Sequence, residues 1–290
     1  MTKPEQSLQE LLIAAHSCDR HIAVEAIRKL GVLQAKEAAP IIIARMADED
    51  AAIRQVCTEE SIDILGNDAT ALLEGRLLDE SITVGMIAAG SLAYIGTPVA
   101  AKILIRAVEN ESPIISTHGR CGLGSWKSLA GFDVFTRALI DGNANVRGHA
   151  ALALGRIGDA VALPYLALAF DKEHEEVNSV RIATAQTLLG EDKKILIRQA
   201  LHAADLQVQF AALACVATIK DRGALFDILP LLGSYSFELA MTAESVLEEL
   251  ELIQKETSAK AQEDEAKLWL RLSLPDGYIV GAEKPPGNDK

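Results

Sequence analysis

A recurring phrase constrains the fold of this chain more than any other feature. At positions 145–159 the sequence reads Asn-Val-Arg-Gly-His-Ala-Ala-Leu-Ala-Leu-Gly-Arg-Ile-Gly-Asp. Val146, Ala150, Ala153 and Ile157 fall at i, i+4, i+7 and i+11, which is one face of a helix. Asn145 suits the N-cap, and Gly158-Asp159 suits the end. A second helix is predicted from Ala162 to Phe170, with Pro164 tolerated in its first turn.

The phrase repeats. Ile115–Gly124 aligns with Val146–Gly155, setting His118 on His149 and Leu123-Gly124 on Leu154-Gly155 at a displacement of 31 residues. Leu92–Gly96 matches Leu154–Gly158, and Leu30-Gly31, Leu65-Gly66 and Leu189-Gly190 close other units; Val208–Ala217 is a looser copy. Two amphipathic helices recurring every ~30–45 residues define a helical solenoid, in which each unit needs its neighbours to bury its apolar face. About seven units fit residues 1–254, leaving 255–290 as a charged segment and tail.

The residues Val146-Arg147, Ala150 to Gly155 and Ile157-Gly158-Asp159 resemble the HEAT-like repeat of the phycobilisome-lyase type. The resemblance covers most of 7–250 and implies an all-α superhelix. It implies no single activity, because similar proteins include phycocyanobilin lyase subunits, the iron enzyme deoxyhypusine hydroxylase, and many scaffolds and accessory factors. HEAT repeats often carry an acid in the turn and an Arg in the second helix. Asp50 with Arg54, Asp141 with Arg147, and Asp171 with Arg181 resemble that structural ladder.

Composition narrows the partners. The chain is 49% hydrophobic but only 4% aromatic, so Ala, Leu, Ile and Val fill the core, which suits close helix packing. Its net charge is −13, with 28 basic residues against 41 acidic ones and no basic run, which argues against nucleic acid. No apolar run reaches the ~20 residues that span a bilayer. Met1–Gln6 lacks the apolar core of a signal peptide, so a cytoplasmic location is expected. Cys18, Cys57, Cys121 and Cys215 form no C-x-x-C pair and are expected to be reduced, mostly buried thiols in helices.

Catalytic machinery is not assembled by any motif. Deoxyhypusine hydroxylases resemble this chain in carrying His-Glu pairs on several inner helices. Here the matching register gives His118-Gly119 and His149-Ala150, with Ile87 and Thr184 in the flanking slots, so the carboxylates that iron needs are missing. His174-Glu175 lies in a turn, with Asn178 where a zinc site of H-E-x-x-H type needs its second His. No metal or cofactor is expected.

The stretch Pro113–Trp126 is unusual, because Gly119, Gly122 and Gly124 replace Ala and Leu of the neighbouring units. Each internal Gly costs a helix about 1 kcal/mol relative to Ala, so this helix should be the weakest unless the glycines permit close approach. Cys121 beside Arg120 is a candidate reactive thiol. The expected function is a scaffold or accessory protein that holds another protein along its inner helices. His118, Arg120, Cys121, Trp126, Arg147 and His149 are the candidate contact residues. The alternative implied by the resemblance is a subunit of a bilin (tetrapyrrole) lyase.

Eight acids between 244 and 265 suit a solvated terminal cap. Beyond them, Leu268-Trp-Leu-Arg-Leu-Ser-Leu274 alternates with period 2 and predicts an extended segment covered by the last helices.

Overall fold

The computed structural model describes residues 7–251, 253–254 and 271–272, through which sixteen α-helices run. The chain divides into two compact units, Met1–Glu191 and Asp192–Lys290.

In the first unit the helices are α1 (Leu8–Ala14), α2 (Arg20–Val32), α3 (Ala39–Arg45), α4 (Ala51–Leu65), α5 (Thr70–Arg76) and α6 (Ile82–Ile95). They continue as α7 (Pro98–Val108), α8 (Pro113–Ser125), α9 (Phe132–Asp141), α10 (Ala144–Ile157), α11 (Leu163–Lys172) and α12 (Glu176–Leu188). Each odd helix packs on the even helix that follows it. The even helices α2 to α12 pack one on the next as a row, and α5, α7, α9 and α11 form a second row beneath. The second unit repeats the pairing with α13 (Lys194–Gln199) and α14 (Leu206–Ile219), then α15 (Leu225–Ile228) and α16 (Phe237–Glu249). The described residues thus make eight pairs where about seven were expected. The expected all-α repeat fold is what the chain adopts.

Local chemistry places the helix ends. Asp19, Asp50, Thr97 and Asn143 each accept a backbone N–H in the first turn of α2, α4, α7 and α10. Asn143, not Asn145, caps α10: its Oδ1 takes the Val146 N–H at 3.0 Å, and the helix begins one residue before Asn145. Gly158 closes α10 at φ 80°, left-handed backbone that a Cβ would strain.

Even helices in the middle of a row bury both flanks, which demands small residues. Ala150, Ala151, Ala153 and Leu154 of α10 have no exposed surface. The glycine-rich α8 is a full helix, and its glycines have different tasks. A Cβ on Gly119 would lie 2.6 Å from the backbone N of Val108, and one on Gly122 would lie 3.0 Å from the Ala89 carbonyl oxygen. Nothing lies within 4 Å of a Cβ on Gly124. Two glycines therefore let α8 press against α7 and α6, and the third serves neither contact. Gly119→Ala is expected to destabilise by about 1–3 kcal/mol through overpacking. Gly124→Ala is expected to stabilise by up to about 1 kcal/mol through helix propensity. Thermal melts that move in the same direction for both would contradict this division.

The charge ladder differs from its expected form. Asp50 caps α4, and Arg54 reaches into the next repeat, where Nε and Nη2 clamp Asp79 at 2.9 Å each. Arg147 likewise clamps Glu173 at 2.9 and 2.8 Å, and Arg198 clamps Asp221 at 2.7 and 2.6 Å. Arg181 donates to Asn178 at 3.3 Å instead of to Asp171, and the Asp141 side chain lies outside the described positions. Arginines thus tie one repeat to the turn of the next, where a carboxylate shielded from water is held by two parallel bonds.

Cys57 and Cys215 are buried, Cys121 is half-buried, and Cys18 is exposed in the loop after α1, outside any helix. Burial pushes the Cys57 thiol up to about 12. Among the described residues no helix is long and apolar enough to cross a membrane. A two-residue antiparallel ladder pairs Ile253 with Leu272 and Gln254 with Arg271. Residues 255–270 and 273–290, including Trp269 and most of the period-2 segment, lie outside the described residues.

Candidate functional site

The even row of the first unit has one free face, and each helix contributes one solvent stripe to it. On α6 the stripe is Ile82, Met86, Gly90 and Tyr94, at i, i+4, i+8 and i+12. On α8 it runs through Thr117, Arg120, Cys121 and Gly124, and on α10 through Asn145, His149, Leu152 and Arg156. Arg181 continues it on α12. Met86 and Tyr94 are 42% and 80% exposed, so this surface is apolar at α6 and cationic from α8 onward.

The six candidate residues separate into four places. Arg120 and His149 meet on this face from neighbouring helices: both Arg120 and Arg181 lie close enough to His149 to disfavour its proton. Burial is the larger cause, and together they hold the imidazole well below its usual range, so it is neutral at pH 7. Its Nε2 is shut off from solvent and has no hydrogen-bond partner. Arg120 donates to Thr117 Oγ1 at 2.8 Å, and Cys121 is half-buried beside it.

His118 does not share the stripe with His149. It has no exposed surface, and its ring occupies the space left by the missing side chain of Gly85 on α6. Its Nδ1 lies 3.1 Å from the Leu77 carbonyl oxygen, which fixes Nδ1 as the protonated nitrogen and leaves the buried Nε2 without a partner. Trp126 is likewise interior: it packs edge-on against Phe135 at 5.1 Å and gives its indole N–H to Ser128 O at 2.7 Å. These two side chains act on the face only by shaping α8.

Arg147 points away from His149, since two residues along a helix turn the side chain by about 200°. Its clamp on Glu173 lines a separate recess of about 320 Å³ with Leu139, Ile140, Leu168, Lys172 and His174. Burial pushes the Glu173 carboxyl up, but bonds from Arg147 and the backbone N–H groups of Glu175 and His174 outweigh it and hold it below the usual range. The recess therefore holds a satisfied ion pair. No group of three His, Cys, Asp or Glu among the described residues is arranged to hold a metal ion.

Residues 122–188, from α8 to α12, match the family model described as HEAT repeats. The pairing of an odd helix with the even helix that follows it continues on either side of that segment. No curated protein matches it. Among solved structures it is similar to the complex of CpcE and CpcF of phycocyanin lyase from Nostoc sp. PCC7120, at 18% identity and TM-score 0.37, covering 86% of this chain and 97% of that one. It is also similar to human deoxyhypusine hydroxylase in complex with glycerol, at 15% identity and TM-score 0.37, covering 84% and 96%. An engineered protein is similar at 15% identity and TM-score 0.29, covering 84% and 88%. None of these brings an activity to this chain.

Sequence reasoning overlooked Met86 and Tyr94 and placed Arg181 only in the ladder with Asp171. The signal was there: α6 carries exposed Met and Tyr at i and i+8 in a helix without a single charge.

Proposed function

We propose that the protein is a binding scaffold whose even-helix face in the first unit, from α6 to α12, receives a partner protein. The observation that carries this reading is Tyr94, 80% exposed on a helix with no charged residue, beside Met86 and the open surface over Gly90. Exposed aromatic and Met side chains next to arginines are the residues that anchor protein interfaces. Arg120, Cys121 and His149 fall inside that footprint. His118 and Trp126 support it from below. The tetrapyrrole-attachment alternative has no observation of its own in its favour.

The test compares three proteins as baits in the native cell extract. They are the wild type, Met86→Ala with Tyr94→Ala and His149→Ala on the face, and Val99→Ala with Val161→Ala off it. All three should melt alike. A protein recovered stoichiometrically by the wild type and the off-face control, and reduced at least about tenfold on the face variant, is the expected result. Equal recovery on all three, or no stoichiometric partner on any, overturns the scaffold reading.

A further inference from the structure

We propose that the segment held on this face is an acidic peptide of the partner, its carboxylates lying along Arg120, His149 and Arg181. The proposal rests on the scaffold reading and adds the chemistry of the occupant.

Charge is distributed against the chain's own composition. The protein carries 41 acidic residues and a net charge of −13, yet α6, α8 and α10 contain no Asp or Glu, and α12 contains only Glu176. The stripe over α8, α10 and α12 presents Arg120, Arg156 and Arg181. Two repeats earlier the sign is reversed, since α4 presents Glu59 and Asp63. Arginine there is matched: Arg28 pairs with Glu59 at 3.3 Å. Arg120 is not, for its bonding partner is a hydroxyl and no described carboxylate stands within ion-pairing distance of it. Cations borne on helices that carry almost no acid of their own, in an acidic chain, attract carboxylates and repel other basic surfaces.

His149 supplies the second, independent observation. Its Nε2 is enclosed and unpartnered, a state that costs free energy until an acceptor or donor reaches it. The charged groups acting on it are Arg181 from α12 and Arg120 from α8, while α7 and α9, packed on its other side, bring no charge to it. A carboxylate drawn between the two guanidinium groups offsets their repulsion, which is the smaller of the two causes that hold the imidazole neutral, and brings an acceptor towards it. The occupied face then disfavours a proton at His149 less than the free face does. The sign follows: the proton is favoured by the bound state, so binding strengthens as pH falls towards the usual imidazole range.

The remaining surface sets the rest of the occupant. Leu152 offers an apolar contact among the cations, Met86 and Tyr94 offer others beside them on α6, and the open space over Gly90 and Gly124 admits a main chain close to the helices. An extended segment alternating acidic and apolar side chains meets both. A nucleic acid meets neither, because its phosphates would face the acids of the rest of the chain and gain nothing from Met86 or Leu152.

The test uses the full chain and three labelled peptides on one frame, alternating Leu and Phe with Glu, Gln or Lys, read by fluorescence anisotropy. A labelled DNA duplex is the fourth probe. The Glu peptide should bind at least about tenfold tighter than the Gln peptide and lose that margin as salt rises. Arg120→Gln with Arg181→Gln should weaken the Glu peptide about tenfold, whereas Arg28→Gln should leave it unchanged. His149→Gln should flatten the gain in affinity between pH 8 and pH 6. Gln and Glu peptides that bind alike, both weakened by Tyr94→Ala, overturn the acidic occupant and leave the scaffold reading standing. Preference for the duplex, failure of every peptide to bind, or Glu binding indifferent to the paired arginine change overturns the proposal.

Discussion

Leu154→Asp abolishes the cooperative unfolding of the first unit at ordinary temperature. Leu154 has no exposed surface and sits on α10, the helix that packs between α8 and α12 in the row and on α9 beneath. Truncating a buried Leu to Ala already costs about 2–5 kcal/mol. An unpaired carboxylate in the same space adds the penalty of desolvating a charge, or of protonating it far from its usual range. The sum approaches the whole stability of a domain, about 5–15 kcal/mol. Repeats contact only their neighbours, so the loss falls first on α8 to α12. Circular dichroism should show a variant with reduced helicity and no sharp melt, while Leu152→Asp, on the half-exposed side of the same helix, keeps both. A soluble Leu154→Asp protein with the wild-type melting curve would falsify the burial of that flank.

Why Leu154 can be assigned from the sequence while His118 cannot is a matter of which residues decide each position. The α10 phrase is periodic within itself: its alanines, the nearby cap and Gly158 suffice to set a helix and its buried flank. Its first residue was still displaced, because Asn143 and Asn145 are chemically equivalent caps and only the chain path into the helix separates them. His118 stands at the same place in its repeat as His149 yet is turned inward. The cause lies 33 positions earlier, in the missing side chain of Gly85. Nothing in the α8 phrase records that vacancy. Trp126 misled for a related reason, since an aromatic at a helix end reads as a surface anchor until Phe135 of the following helix is known to pack against it. The cationic face was half visible: Arg120 and His149 could be named from their unit, but the absence of acids from three helices of one row becomes meaningful only once α6, α8 and α10 are seen side by side. Arginine pairing was read locally, acid and base within one unit, whereas the fold bonds each arginine across the turn to the next repeat.

Those inter-repeat clamps carry the second large effect, and Arg54 is the place to measure it. Its side chain is 6% exposed and that of Asp79 is 3% exposed. All five N–H donors of the guanidinium are engaged: two on Asp79, one on Glu80 at 3.0 Å, and two on the carbonyls of Asp48 and Glu49 at 2.9 and 3.0 Å. Arg54→Met keeps the volume and removes every bond, leaving Asp79 buried with Arg76 at 3.2 Å as its remaining cation. Breaking one side of such a pair costs about 3–5 kcal/mol, most of it the uncompensated carboxylate. Arg54→Met with Asp79→Asn should therefore recover part of the loss. The pH dependence separates this origin from lost packing. In the wild type, burial pushes the Asp79 carboxyl up, but the bonds from Arg54 and the Ser81 N–H outweigh it and hold it below the usual range. A depressed carboxyl contributes stability that is present above its unfolded value, about 3.9, and is lost as pH falls through the folded one. In Arg54→Met the opposing influence of burial is left less balanced, so the carboxyl rises and protonates earlier as pH falls, which relieves the buried charge. The gap in urea midpoint between wild type and variant should thus be widest near pH 7 and narrow steadily towards pH 4. A gap that stays constant over that interval would mean that Arg54 stabilises the repeat junction through its packing and not through its hold on Asp79.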